Sequence, residues 1–393
     1  MQITAALLSG VGQPFEITTL TLDDPGPGEV RVRLATSGVC ASDAHTRSGR
    51  IPSPTPSVLG HEGAGVVESV GAGVTHVRVG DHVALSWMPS CGACRHCQRG
   101  RPVLCTAAAP ALLAGTMLDG SVRLHDAAGR PVHHYSFLST FATHTVVPAA
   151  SAVPIPADVP LAVASIVGCA VLTGYGAVVN QARVTPGSSV VVFGGGGVGL
   201  AAVVAARVGG AAQVIVVDPL ESKRTAALGF GATHVLAPSP VVAEQVRALT
   251  GGDGADYGID ATGSQGVVAQ AFDAVVAGGT VVCVGVPAPG VDPVLPGANL
   301  VRSEKTVVGS LYGSSRPGLD IPAVLDLYMG GLLPLDRMIT KAFRLDEVDT
   351  AFDELRAGTL GKGVLVLDPE LAGPLPVEAP ADLAVPQPVL VGA

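Results

Sequence analysis

The stretch SVVVFGGGGVGLAAVVAARVGGAAQVIVVD, residues 189–218, constrains this chain more than any other. SVVVF (189–193) reads as a buried strand, LAAVVAARVG (200–209) as a helix and QVIVVD (213–218) as a second strand. Together they make a βαβ unit. Gly194, Gly196 and Gly199 satisfy G-x-G-x-x-G, Gly197 and Val198 lie between them, and Asp218 stands 19 residues past Gly199. Such a turn lets backbone approach a pyrophosphate at a helix N-terminus. The aspartate accepts from the adenosine ribose hydroxyls and repels a 2′-phosphate, so NAD is expected rather than NADP. A glycine-rich turn alone would say little in a chain with 51 glycines. Its place between strand and helix, with Asp218 beyond, carries the inference.

The alternation continues with a helix near 221–230, VRALTGG (246–252), DYGIDATG (256–263), a helix near 265–277 and TVVCVGV (280–286). This predicts an α/β chain with a doubly wound parallel sheet over about 171–310. The front part is different. Residues 1–35 alternate apolar and polar segments around the turn DDPGPGE (23–29) and read as short strands, and EGAGVVESVG (62–71) and DHVALSW (81–87) read as further strands. A mostly β domain with long loops is expected there. LDIPAVLDLYMGG (319–331) reads as helical and GKGVLVLD (361–368) as a last strand that returns to the front domain. The tail 369–393, rich in Pro, Ala and Val without period, is expected to be disordered.

A chain of 393 residues that is 48% hydrophobic can bury a large core and is long enough for two or three domains. The start MQITAALLSGVGQPF has no basic region before an apolar run, so no signal peptide is expected. A net charge of −9 without a Lys/Arg block argues against nucleic acid and anionic membranes as partners. LAVASIVGCAVLTGYGAVV (161–179) has no charge over nearly a membrane's thickness. Its glycines (Gly168, Gly174, Gly176) and lack of aromatic or basic anchors favour a buried helix. The expected place is the cytoplasm, where thiols stay reduced and clustered cysteines favour metal.

The cysteines cluster. C-x2-C-x2-C-x7-C (Cys91, Cys94, Cys97, Cys105) can close a tetrahedral zinc site with no open position, the structural kind. Disulfides would need an oxidising compartment, and a redox pair would not need the third and fourth cysteines. His96, inside the loop, is expected to be a solvated bystander. Cys40, His61 and Cys169 could form a Cys2His zinc site with an open fourth position. Each is weak alone, since a Cys in an apolar helix is usually core, the reading kept for Cys283.

In these residues the chain resembles medium-chain zinc-dependent alcohol dehydrogenases, of the class III and aryl-alcohol kind. GHEGAGVVESVGAGV matches the family signature G-H-E-x2-G-x5-G-x2-V. GVC-x-SD-x-H, the four-cysteine loop, GC-x3-TG-x-G and the glycine turn with Asp218 recur in the family's order over residues 1 to about 368. The resemblance implies a GroES-like catalytic domain (about 1–170, completed by 311–368) and a Rossmann domain (171–310). Two zinc ions per chain, NAD and a homodimer or homotetramer are implied with it.

By resemblance, Cys40, His61 and Cys169 hold the catalytic zinc, Glu62 can approach or exchange onto it, and Asp43 orients the ligand histidine. Ser42 and His45 match a proton relay, Thr173 meets the nicotinamide side and Lys223 the adenosine ribose. Lys362 falls where the family has a basic phosphate contact. Ala41 departs from the family, which often has Arg or His there on the coenzyme pyrophosphate. Trp87 aligns near a bulky pocket position, and Tyr135, Phe137, Leu138 and Phe141 are expected to wall the pocket. The implied reaction passes hydride between a primary alcohol, apolar or aromatic, and NAD. A thiol-dependent formaldehyde dehydrogenase is the first alternative and a non-catalytic NAD-binding protein the second.

Overall fold

The computed structural model describes residues 1–376. Three sheets organise them. Strands Gln2–Leu8 and Phe15–Leu22 form a hairpin that closes into a small barrel with Leu124–His125, Pro131–His134 and Ser57–Val58. A second, seven-stranded sheet centres on Glu29–Val39, which pairs with Gly63–Val70, with His144–Pro148 and with the late strand Lys362–Val366. Gly363 sits opposite Val39, so the chain's last strand does return to the front domain. Residues 1–35 thus contribute long paired strands, with Glu29–Val39 running 11 residues.

The third sheet is six-stranded and parallel throughout. Its order is His234–Leu236, Gln213–Val217, Ser189–Phe193, Ala255–Asp260, Val275–Cys283, Thr306–Gly309. Val190, Val191 and Val192 are fully buried, as a strand covered on both faces requires. The doubly wound order puts ligands at the carboxyl ends of the strands, where the order reverses beside Ser189–Phe193.

The uncharged segment forms the helix Leu161–Ala182, and 78% of its most apolar window is buried inside the fold. It packs on helix Gly197–Val208 so closely that a Cβ on Gly174 would strike Val198 O and Ala202 N. Small residues therefore set the contact between these two helices. In the tail, Pro369–Ala372 is a short helix with Ala372 buried, which corrects the expectation of disorder for that stretch. Asp368 caps it, accepting from the N–H groups of Glu370 and Leu371. The remainder of the tail, 377–393, lies outside the described residues.

Candidate active site

Cys40 ends strand Glu29–Val39 and N-caps helix Ala41–Arg47. His61 and Glu62 lead into strand Gly63–Val70. Cys169 lies in a π-helical turn, Val167–Val171, inside the long apolar helix, and such widened turns recur at functional sites. One ligand atom each from Cys40, His61, Glu62 and Cys169 comes together, all within 4.8 Å of one another. Asp43 is fully buried. Its Oδ1 accepts from His61 Nδ1 at 3.0 Å and from the Gly60 N–H at 3.1 Å. The other imidazole nitrogen is thereby left to face the sulfurs.

The charges fit a metal. A hydrogen bond from Cys169 holds the Cys40 thiol well below its usual pKa, with Lys362 and His61 adding to the effect. Burial opposes the His61 imidazolium, but Asp43 and the Cys40 thiolate outweigh it and raise its pKa well above the ordinary value. A thiolate beside an imidazole whose outer nitrogen is fixed is the donor set zinc takes, with the ring proton released on binding.

Glu62 and Lys362 form a buried ion pair, Nζ to Oε2 2.5 Å, with Lys362 Nζ also donating to Val39 O at 3.1 Å. Burial pushes the Glu62 carboxyl up to about 7 even against that cation. A Cβ on Gly38 would overlap Glu62, so only glycine leaves the carboxylate its place. Lys362 is 4% exposed and its charge is spent on Glu62. Any phosphate contact from this side chain would compete with that pair.

Ser42 and His45 share helix Ala41–Arg47, three residues apart and therefore on one face. His45 is half-buried, and Arg50 Nη1 lies 3.3 Å from its Nε2. Burial first, and then Arg50, lower its pKa below the usual value, which favours the neutral ring. Nothing in the sequence pattern pointed to Arg50. Ala41 is exposed at the helix's first position.

At the dinucleotide turn each glycine has its own reason. Gly194 has φ 99°, Gly196 has open space where a Cβ would be, and a Cβ on Gly199 would overlap Gly194 O. The turn is thus bent, open for approach and packed, the three properties a pyrophosphate cradle needs. Asp218 Oδ2 accepts from the Gly195 N–H at 2.7 Å and Oδ1 from Leu220 N–H at 2.8 Å. Lys223 stands at the same place, its Cβ 3.2 Å from where a Cβ on Gly195 would be. Arg224, which sequence reading passed over, donates to Asp218 O at 2.7 Å. Gly197 and Val198 open the helix, and half-buried Thr173 lies on the helix against it.

In the four-cysteine loop the ligand sulfurs also lie within 4.8 Å of one another, and His96 is outside the set. The Cys91 N–H donates to Cys105 Sγ at 3.4 Å and the Cys94 N–H to Cys91 Sγ at 3.3 Å. Backbone N–H groups of Cys97 and Thr106 lower Cys94 to about 5, while burial raises Cys97 to about 12. All seven cysteines are free thiols, and Cys94 Sγ to Cys97 Sγ is 3.5 Å, far beyond a disulfide bond. Four sulfurs around one point fit a closed zinc site.

The expected aromatic wall needs correction. Phe141 is fully buried and packs with Phe15 and Phe352, and Phe137 and Leu138 are core as well. Residues 135–141 form the loop that follows strand Pro131–His134, with Ser136, Phe137 and Ser139 at positive φ, and its apolar side chains are buried in cores. Tyr135 does reach the site, but from behind. Its ring packs edge-on against His61 at 5.6 Å and its hydroxyl accepts from Thr46 Oγ1 at 3.0 Å. Trp87 is half-buried, with its ring 4.8 Å from Tyr312.

A barrel-bearing β domain, a dinucleotide-binding sheet and two thiolate clusters define a zinc- and NAD-dependent oxidoreductase. Residues 26–157 match the alcohol dehydrogenase GroES-like domain and 197–329 the zinc-binding dehydrogenase domain. The chain is 42% identical to the NDMA-dependent alcohol dehydrogenase of Amycolatopsis methanolica, covering 93% of this chain and 99% of that one. It is 36% identical to S-(hydroxymethyl)glutathione dehydrogenase of Paracoccus denitrificans, covering 93% and 100%. The crystal structure of benzyl alcohol dehydrogenase from Acinetobacter calcoaceticus superposes with TM-score 0.89 at 34% identity, covering 94% of this chain and 100% of that one. The chain belongs to the medium-chain zinc-dependent alcohol dehydrogenase family, and is an oxidoreductase that uses zinc and NAD(H).

Proposed function

We propose that this chain oxidises apolar or aromatic primary alcohols to aldehydes, and reduces them in reverse. The observation that carries the chemistry is where two sites meet. A Cβ on Gly197 of the dinucleotide turn would lie 3.4 Å from Cβ of Ala170, the neighbour of Cys169. Metal cluster and coenzyme turn therefore share one wall, as direct hydride transfer demands.

When bound by Cys40, His61 and Cys169, zinc supplies Lewis acidity to the substrate oxygen and NAD the hydride acceptor. Asp43 keeps His61 in the tautomer that leaves its second nitrogen free. Ser42 takes the hydroxyl proton as it gives its own up toward neutral His45, which lies near the surface and releases a proton to solvent. Asp218 and Lys223 hold the adenosine ribose, and Thr173 the nicotinamide side. Cys91, Cys94, Cys97 and Cys105 hold a second zinc that organises their loop.

The apolar preference rests on Trp87, whose indole packs beside Tyr312 at the edge of the Cys169 turn. Similarity to a benzyl alcohol dehydrogenase supports the same reading. Hydrocarbon burial at ~25 cal/mol per Å² then dominates binding. Benzyl alcohol and hexanol should exceed ethanol in kcat/KM by about tenfold or more. Ethanol, polyols or hydroxy acids proving better substrates would contradict it.

A second reading, thiol-dependent formaldehyde oxidation, is favoured by the 36% identity to the Paracoccus enzyme. Formaldehyde turnover with and without a low-molecular-weight thiol separates the two. A strict thiol requirement would replace the alcohol reading.

A further inference from the structure

Residues 311–315, LYGSS, follow the last strand of the parallel sheet. Tyr312, Gly313 and Ser314 take φ of 52°, 68° and 49°, three left-handed residues in a row, two of them with side chains. Such backbone persists only where its surroundings hold it. Here they do. A Cβ on Gly313 would strike the carbonyl oxygens of Leu172 and Thr173, and Asn180 Nδ2 donates to Gly313 O at 3.3 Å.

The result is to aim one side chain. Tyr312 is 2% exposed, lies under Trp87, and its hydroxyl donates to Gly168 O, with Ser86 Oγ 3.3 Å away. Gly168 is itself wedged, because a Cβ there would overlap Leu85 O. The Gly168 carbonyl and the Cys169 N–H belong to one planar peptide, so fixing that oxygen fixes how Cys169 leaves the π-helical turn.

We infer that Tyr312 is a positioning residue that sets the direction of the Cys169 thiolate at the metal cluster. This rests on the proposed role of Cys169 as a ligand. Tyr312→Phe keeps the ring against Trp87 and removes only the hydroxyl, so it separates positioning from core filling.

The test loads the catalytic site of the full-length protein with Co2+ and records the thiolate charge-transfer and ligand-field bands. Tyr312→Phe should shift those bands. It should also speed loss of that cobalt to a chelator by about five- to tenfold, the effect of one lost hydrogen bond. Metal in the four-cysteine loop and the Kd for NADH should not change. Ser86→Ala leaves the Tyr312–Gly168 bond in place and should leave the bands unshifted. Tyr312→Asn suits the left-handed backbone but cannot reach Gly168, and must reproduce the shift should the Phe variant fail to accumulate. Wild-type bands and chelation rate in the Tyr312 variant that accumulates would overturn the inference, as would an equal shift in Ser86→Ala. Cys169→Ser separates the two claims: if it leaves the cobalt spectrum intact, the ligand reading fails first.

Discussion

The two thiolate clusters use the same chemistry on opposite terms. In the four-cysteine loop, fourteen positions separate first ligand from last, and Cys91 is exposed. Backbone N–H groups of the loop itself solvate the sulfurs. Cys40, His61 and Cys169 instead come from a strand end, a turn before another strand and the middle of a helix. Their partners, Asp43, Glu62 and Lys362, are buried and bonded across the fold. A local site can shape a loop. The dispersed one is assembled by the whole fold and is free to serve chemistry.

The largest effect should come from breaking each cluster at one sulfur. Cys169→Ser should lower Tm less than Cys94→Ser does, yet lose at least about a hundredfold in kcat, more than partners of ligands typically cost. Cys94→Ser should do the reverse first, lowering Tm by several degrees because bound metal contributes folding free energy. Thermal melts beside steady-state rates check both. Equal loss of stability in the two variants would erase the distinction.

Next in size is coenzyme choice. Asp218→Gly should lower kcat/KM with NAD roughly tenfold and raise it with NADP, by removing acceptor and repulsion together. Because Asp218 also bonds the Gly195 and Leu220 N–H groups, the gain with NADP should be smaller than the loss with NAD. A wild type that prefers NADP would contradict the role given to this carboxylate.

The relay is a finer probe. His45 has a pKa below the usual value, so its accepting capacity persists to lower pH and is lost only as pH falls through that pKa. His45→Gln should slow alcohol oxidation by about ten- to a hundredfold near neutral pH, with partial rescue by buffer bases. At high pH, where hydroxide takes the proton, the deficit should shrink. A constant ratio to wild type across pH would remove His45 from the path. The smallest effect is expected at exposed Ala41. Ala41→Arg adds a charge-assisted contact of roughly 1.5–3 kcal/mol before offsets and should tighten NADH binding measured by fluorescence. Unchanged affinity would show that this position does not face the pyrophosphate.

What the sequence made legible divides along the same contrast. The cysteine spacing and the glycine turn are contiguous, so ligand count and backbone need are written in neighbouring residues. The dispersed cluster could be offered from its residues only as a weak candidate, and resemblance made it specific, since no spacing links Cys40 to Cys169. Burial was the least legible quantity. A lysine ahead of VLVLD reads as a surface or phosphate-binding cation until Glu62 is seen beside it. Phe141 and Tyr135 belong to one apolar stretch, yet one fills the barrel core and the other backs His61. The tight turns of the loop between them, with Ser136, Phe137 and Ser139 at positive φ, decide that, and the apolar pattern does not encode them.

Metal content per chain tests the central claim most directly. Metal analysis of active wild-type protein should find about two zinc ions per chain, one closed by four cysteines and one held by Cys40, His61 and Cys169. Folded Cys169→Ser should retain about one, with no turnover. One zinc per chain in fully active wild type, or two in inactive Cys169→Ser, would contradict the division of labour between the clusters.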